Sequence, residues 1–202
     1  MIAIIDYDAG NIKSVEKALI SLNEDAVITR DKNIIKSADH VILPGVGAFG
    51  DAMEKLEKYD LIPVIQDVCK NGTPFLGICL GLQLMFESSE ESEGVKGLSL
   101  LEGKIVKIPE GEYKKIPHMG WNDLTLSGDG RLFKGIENNP YVYFVHSYYL
   151  KAKDESIVKA TTDYNVKIHA SVEKDNIFAC QYHPEKSSDV GLKMLKNFIE
   201  IK

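Results

Sequence analysis

Cys79 stands where the apolar run Thr73-Pro-Phe-Leu-Gly-Ile-Cys79 gives way to the amphipathic stretch Leu80-Gly-Leu-Gln-Leu-Met-Phe-Glu87, which predicts a strand leaving as a helix with the cysteine at the bend. Gly77 and Gly81 flank it, two residues away on either side. That is the spacing of a nucleophile elbow, in which missing side chains let strand and helix crowd around a strained turn and present the central residue outward. A thiol at a helix start meets unpaired backbone N–H groups and the positive end of the helix dipole, and both favour the thiolate nucleophile. A cysteine in an apolar run is more often a plain packing residue. The paired glycines argue against that reading without settling it alone.

A thiolate nucleophile needs a proton carrier and a group that holds the carrier in place. Ala179-Cys-Gln-Tyr-His-Pro-Glu185 offers both: an apolar strand ends in His183 and Glu185, and Pro184 biases His183 toward extended backbone, so the two side chains can project to one side. Set beside Cys79 they would complete a thiol version of nucleophile, base and orienter. Taken alone, His-Pro-Glu is more often a strand-ending turn.

Pro44-Gly-Val-Gly-Ala-Phe-Gly50 satisfies G-x-G-x-x-G between a predicted strand and a predicted helix, which suggests a dinucleotide site. The match is weak. The acid that should end the next strand is missing, since Asp67 falls in a helical stretch, and the turn follows the third strand rather than the first. A glycine loop at a sheet edge can instead aim a backbone N–H at developing negative charge, and an amide of Val46 or Gly47 with that of Leu80 would make a two-donor oxyanion hole. A plain tight turn is the remaining alternative.

The elements that must position these residues read as α/β. Strand-like and helix-like segments alternate through residues 1–90, as in a parallel sheet with crossover helices. Ile2–Ile5 is an apolar run expected of a strand covered on both faces, and Ile12, Val15, Ala18, Leu19 and Leu22 form one helical stripe. Ala26–Ile28 and Asp39–Leu43 follow as strands, the latter halted by Pro44, and residues 51–70 read as two helical pieces broken near Pro63. Beyond residue 88 the alternation gives way to β-rich pieces: Gly103–Ile108, Asn122–Leu126, Tyr141–Leu150, Ile157–Thr162, Val166–Val172 and Ile177–Tyr182. Ser187 opens a closing helix with Leu192, Leu195, Phe198 and Ile199 as its buried stripe. The expected fold is a doubly wound, mostly parallel central sheet with helices on both faces and antiparallel β extensions in the second half, in a single domain over residues 1–202.

Composition narrows the chemistry. A net charge of -6 gives no electrostatic footprint for nucleic acid or an anionic membrane. Met1-Ile-Ala-Ile-Ile-Asp6 lacks the basic start and length of a signal or spanning segment. The three cysteines, Cys69, Cys79 and Cys180, contain no C-x-x-C, so neither a disulfide framework nor a metal site is expected, and a cytoplasmic location with no cofactor follows. His40 and His169 read as ordinary strand residues. His118 and His146 lie in Ile116-Pro-His-Met-Gly-Trp-Asn122 and Tyr143-Phe-Val-His-Ser-Tyr-Tyr149, aromatic stretches too rich for simple strands, and Trp121 with its polar neighbours suggests a contact surface. The acidic run Glu87-Ser-Ser-Glu-Glu-Ser-Glu93 reads as a solvated loop, though its place after the elbow helix would let one carboxylate meet a substrate ammonium.

In this order, Pro44-Gly-Val-Gly47, Gly77-Ile-Cys-Leu-Gly-Leu-Gln83 and His183-Pro-Glu185 resemble the class I (triad) glutamine amidotransferases, over the whole chain. Asp6-Tyr-Asp-Ala-Gly-Asn11, Pro117-His-Met-Gly-Trp-Asn122, His146-Ser-Tyr148 and Lys186-Ser187 are similar to one branch, the glutaminase subunit of imidazole glycerol phosphate synthase. The resemblance implies that Cys79 attacks the side-chain amide of glutamine, with His183 moving protons, Glu185 orienting it, and Gln83, Glu91, Ser147 and Tyr148 holding the amino-acid end. It also implies a partner, a separate (β/α)8 barrel cyclase subunit that uses the ammonia in histidine biosynthesis. Free ammonia is largely protonated in water, so a sealed joint is needed; Asn11, His118, Met119, Trp121, Asn122 and Lys186 are expected to form that docking face. A paralogous glutaminase feeding a sugar-modifying synthase, and a cysteine hydrolase or chaperone with an elbow of its own, stay open as alternatives.

Overall fold

A computed structural model describes residues 1–111 and 115–202. Strand β1 (Ile2–Ile5) shows why its run is apolar throughout: Ile2 and Ile4 enter the core on one face of the sheet, Ala3 and Ile5 the core on the other. Strands β2 (Ala26–Thr29) and β3 (His40–Gly45) flank it in parallel, and β4 (Phe75–Cys79) continues in parallel from β3. The crossovers are α1 (Ile12–Ser21), α2 (Lys32–Ser37) and the pair α3 (Phe49–Lys58) and α4 (Ile62–Lys70), with Pro63 in the first turn of α4, where its missing N–H is harmless. Val15, Ala18 and Leu19 of α1 bury against one face, and Phe49, Leu56, Val64 and Ile65 against the other. The short helix α5 (Leu80–Leu84) follows the elbow.

The second half widens the sheet. Strands β5 (Ser88–Ser89), β6 (Gly103–Lys107), β10 (Tyr148–Ala152), β12 (Val166–Lys174) and β13 (Ile177–Cys180) give the order β2-β1-β3-β4-β13-β12-β10-β6-β5, with β11 (Val158–Tyr164) on β12 and β8 (Thr125–Leu126) on β11. β13 is parallel to β4 and antiparallel to β12, so the doubly wound core passes into antiparallel extensions as expected. Strands β7 (His118–Asp123) and β9 (Tyr141–His146) form a separate antiparallel ribbon. The closing helix α6 (Ser188–Ile199) shares the α1 face through Met194, Leu195 and Phe198, while Leu192 and Ile199 are only partly buried. No helix among the described residues is long and apolar enough to cross a membrane.

Four local expectations are corrected. Pro44 does not halt β3, which runs to Gly45. The Val41 N–H points toward β4, bonding Pro74, so by alternation the missing Pro44 N–H faces the β1 side, past the last β1 pair Ile4↔Ile42, and costs no ladder bond. The elbow helix ends at Leu84, not Glu87, because Met85 and Phe86 tighten onto the Leu82 and Gln83 carbonyls. Tyr141–Leu150 is two strands, β9 and β10, which part at Ser147 and enter different sheets. The acidic run is not a plain loop: Ser88–Ser89 form β5, and although Glu87, Glu90 and Glu93 are exposed, two of these carboxylates are tethered, Glu87 accepting the Gly103 N–H at 2.9 Å and Glu90 the Lys107 N–H at 2.8 Å.

Candidate active site

Three neighbouring parallel strands end together. Gly45 pairs with Cys79 and Cys180 with Ile78, so whatever follows β3, β4 and β13 overruns one carboxyl edge, where open α/β sheets hold their ligands. Cys79 sits there at φ 54° and ψ -109°, a conformation that L residues resist and that packing must impose. The flanking glycines make that packing possible. A Cβ on Gly81 would strike the Leu43 carbonyl oxygen, and one on Gly77 would lie 2.8 Å from the Gly81 oxygen.

His183 and Glu185 arrive from β13. The His183 Nδ1 lies 2.8 Å from Glu185 Oε1, and both side chains are buried, which assigns the Nδ1–H to the carboxylate and leaves Nε2 outside that bond. Backbone bonds fix the histidine: its N–H donates to the Tyr143 carbonyl, and the Ser187 hydroxyl donates to the His183 carbonyl at 2.6 Å while accepting the Tyr143 N–H at 3.0 Å. Ser187 therefore ties β9 to His183 instead of capping α6 with its side chain. Burial by itself pushes His183 down, but the Cys79 sulfur and the Glu185 carboxylate outweigh it and hold the imidazole above its ordinary range. Nε2 itself has no partner at hydrogen-bonding distance.

Cys79 faces a cavity of about 390 Å³, lined also by Val46, Gly47, Leu80, Gln83, Glu91, Pro117, Val145, His146, Ser147 and Tyr148. All eight residues expected of nucleophile, oxyanion hole and substrate pocket apart from the His183–Glu185 pair thus share one wall. Gly47 takes φ 104°, which leaves the loop peptide in a geometry open to glycine. Glu91 also anchors a helix, since its Oε2 accepts the Phe49 N–H at 2.8 Å at the start of α3, where Ala48 offers no side-chain cap. Gln83 Nε2 donates to the Tyr148 carbonyl at 3.0 Å and to Gln181 Oε1 at 3.1 Å. His146 is buried and pushed down to about 4 by that burial, so it is neutral, and its Nδ1–H donates to the Tyr148 carbonyl at 2.8 Å.

The six residues expected on a docking face divide by strand alternation. Met119 and Trp121 lie on the outer face of the β7–β9 ribbon, 62% and 53% exposed, and pair with Val145 of the cavity wall and with Tyr143. Lys186 is exposed, with its Nζ 5.9 Å from the Tyr143 ring. His118 faces inward, stacked between Phe144 and Tyr164, so its ring is not a surface contact. Asn122 reaches beneath the ribbon to His118 Nε2 at 3.3 Å. Asn11, held at φ 66°, donates its amide to Glu185 Oε1 at 2.8 Å, the same oxygen that faces His183, rather than outward to a partner. Sequence reasoning does not assign these places to Gln181, Asn11 and His146. For Gln181 a signal exists: a polar residue two positions before His183, continuing an otherwise apolar strand.

The chain has relatives of established family. The glutamine amidotransferase class-I family matches residues 3–201. The imidazole glycerol phosphate synthase subunit HisH of Caldanaerobacter subterraneus subsp. tengcongensis is 51% identical, covering 100% of this chain and 98% of that protein. HisH of Methanothermobacter thermautotrophicus is 50% identical at the same coverage, and that of Bacillus cereus 52% identical over 98% of this chain and 93% of its own. Among solved structures, a glutamine amidotransferase superposes with TM-score 0.76 at 17% identity, covering 98% and 99% of the two chains. PurLQS from Thermotoga maritima gives 0.74 at 21%, covering 98% and 96%; these two likenesses concern the fold. An elbow cysteine, a histidine–carboxylate pair following the adjacent parallel strand, and full-length identity near one half agree, and the chain belongs to the class-I glutamine amidotransferases, in the branch of imidazole glycerol phosphate synthase subunit HisH.

Proposed function

We propose that this chain is the glutaminase subunit of an imidazole glycerol phosphate synthase, with Cys79, His183 and Glu185 as its catalytic residues and a separate (β/α)8 barrel cyclase as the recipient of its ammonia. The observation that carries the reading is the His183–Glu185 pair, at 2.8 Å, set beside a strained cysteine that opens on a cavity of about 390 Å³. A volume of that size suits a small amino acid, since ligand pockets run from about 300 to 1000 Å³.

Cys79 Sγ attacks the side-chain amide carbon of glutamine, and the carbonyl π electrons move onto oxygen. The N–H groups of Leu80 and of the Val46–Gly47 loop receive that negative charge. The imidazolium of His183, held in its charged form by the sulfur and by Glu185, gives its proton to the departing nitrogen. Ammonia leaves and a glutamyl thioester remains. Neutral His183 then takes a proton from water, whose oxygen attacks the thioester; glutamate departs and the thiolate–imidazolium pair is restored. Gln83, Glu91 and the backbone at Ser147 and Tyr148 hold the amino-acid end, and Glu91 can do so while anchoring α3 because a carboxylate accepts several bonds.

The outer face of the ribbon supports the docking reading. Met119, Trp121 and Tyr141 expose large apolar surface on one side of two paired strands, and the same strands carry Val145 to the cavity wall. A partner seated there would seal the mouth against water, with Trp121 as the anchor. The direct test supplies glutamine to the purified chain, alone and with the cyclase. Glutamate and ammonia in equal amounts, with synthesis from glutamine only in the paired protein, meet the proposal. No hydrolysis in either state defeats it.

A further inference from the structure

We propose that Gln181 is a positioning residue that joins the nucleophile to the substrate pocket, its single side-chain amide donating to the Cys79 sulfur and accepting from Gln83. The inference rests on the glutaminase reading for its kinetic arm alone. Gln181 is fully buried, and its backbone N–H is pinned to the Ala170 carbonyl at 2.9 Å. Its Nε2 lies 3.7 Å from Cys79 Sγ, and its Oε1 lies 3.1 Å from Gln83 Nε2.

The direction of these bonds is fixed by chemistry. The Tyr148 carbonyl can only accept, so the Gln83 group 3.0 Å from it is the NH2. The same NH2 faces Gln181, which therefore presents oxygen to Gln83 and nitrogen to the sulfur. The Cys79 thiol can itself donate to the Val145 carbonyl at 3.9 Å, an acceptor that repels a thiolate, and His183 Nε2 has no hydrogen-bond partner. Among the described residues, the Gln181 N–H is the side-chain group that donates to the sulfur. One backbone carbonyl, that of Tyr148, also takes the His146 Nδ1–H, and His146 Nε2 takes the Nδ1–H of His118 at 3.0 Å. Donors converge on the Tyr148 carbonyl from both sides, His146 from under the β7–β9 ribbon and Gln83 from the pocket, and the Gln83 amide also donates to Gln181, whose own N–H reaches the Cys79 sulfur.

The test uses the full chain and two variants. Gln181→Met keeps the length but offers neither donor nor acceptor, and it should lower kcat, and the rate of Cys79 alkylation by iodoacetamide, by roughly 10- to 100-fold, with the smaller change in KM. Gln181→Glu keeps the acceptor for Gln83 and presents a donor to the sulfur only when its carboxyl is protonated, so its alkylation rate relative to the parent should recover toward acid pH. A pH-independent loss in Gln181→Glu, or parental alkylation in a folded Gln181→Met, overturns the proposal and leaves Gln181 a packing residue. The parent alone decides the matter if a variant does not fold: the Gln181 side-chain amide resonance should shift when Cys79 is alkylated, and an unmoved resonance refutes the bond. Iodoacetamide does not require glutamine to be the substrate, so a parent without glutaminase activity would defeat the proposed function and leave this test standing.

Discussion

The carboxyl edge of the central sheet and the β7–β9 ribbon each bury a histidine beside one site, and the two are driven in opposite directions. Burial favours the neutral imidazole in both. His183 has a sulfur and a carboxylate against it and stays above its ordinary range. His146 has a backbone carbonyl and another imidazole, and it falls to about 4. Burial against a sulfur and a carboxylate leaves one imidazole raised; burial against a backbone carbonyl, with the charge of His183 nearby, leaves the other lowered. The two regions therefore answer to different perturbations, the first to loss of charge and the second to its arrival.

The deepest break removes the charged region. Cys79→Ala and His183→Ala should each reduce glutamine turnover by about 10⁴-fold or more, and Glu185→Ala by less, because it orients the proton carrier without transferring a proton itself. Steady-state ammonia release on folded variants checks the ranking, and Glu185→Ala as damaging as Cys79→Ala would reverse the roles. A smaller loss tests the loop that should complete the oxyanion site. At φ 104° an added Cβ at Gly47 meets no neighbouring atom within 4 Å but strains the backbone, so Gly47→Ala should misdirect an amide and lower kcat by about 100- to 1000-fold with the melting temperature little changed.

The pH dependence of stability separates the two histidines by sign. His146 has its folded value, about 4, below an unfolded value of about 6.5, so its contribution is complete above about 6.5 and is lost as pH falls toward 4, a difference of about 3 kcal/mol. His183 has its folded value raised, so its contribution is complete below about 6.5 and is lost as pH rises through that raised value. In urea unfolding, His146→Gln should flatten the acid limb and His183→Gln the alkaline limb. The same limb flattened by both would erase the contrast between the regions.

How much of this is legible in the sequence follows from what periodicity records. Residues 1–90 are readable because each parallel strand is apolar on both faces and each helix has one stripe, and the elbow is readable because close packing at Gly77 and Gly81 excludes any side chain. Tyr141–Leu150 reads as one strand because β9 and β10 are both rich in aromatic and apolar residues, and a change of sheet at Ser147 leaves no mark on a period of two. Four of the six residues expected to dock fall within 118–122, but alternation along β7 sends Met119 and Trp121 outward and His118 inward. The bond from Asn11 to Glu185 spans 174 positions, a contact that only the assembled fold brings about.

The mildest perturbation to the fold concerns the outer ribbon. Trp121→Ala and Lys186→Ala should change folding stability by less than about 0.5 kcal/mol, as exposed positions do. They should weaken docking, so that synthesis from glutamine falls while synthesis from added ammonium salts survives. Undiminished transfer of ammonia in both variants would return this face to ordinary surface.

The central claim is that glutamine is cleaved on Cys79, and an electrophilic glutamine mimic tests it most directly. Peptide mapping after labelling should place one adduct on Cys79, with Cys69 and Cys180 unmodified, glutamine slowing the labelling, and ammonia release lost in proportion to the adduct. Glutamine hydrolysis that persists in protein fully labelled at Cys79, or that is lost through an adduct on another cysteine, would contradict it.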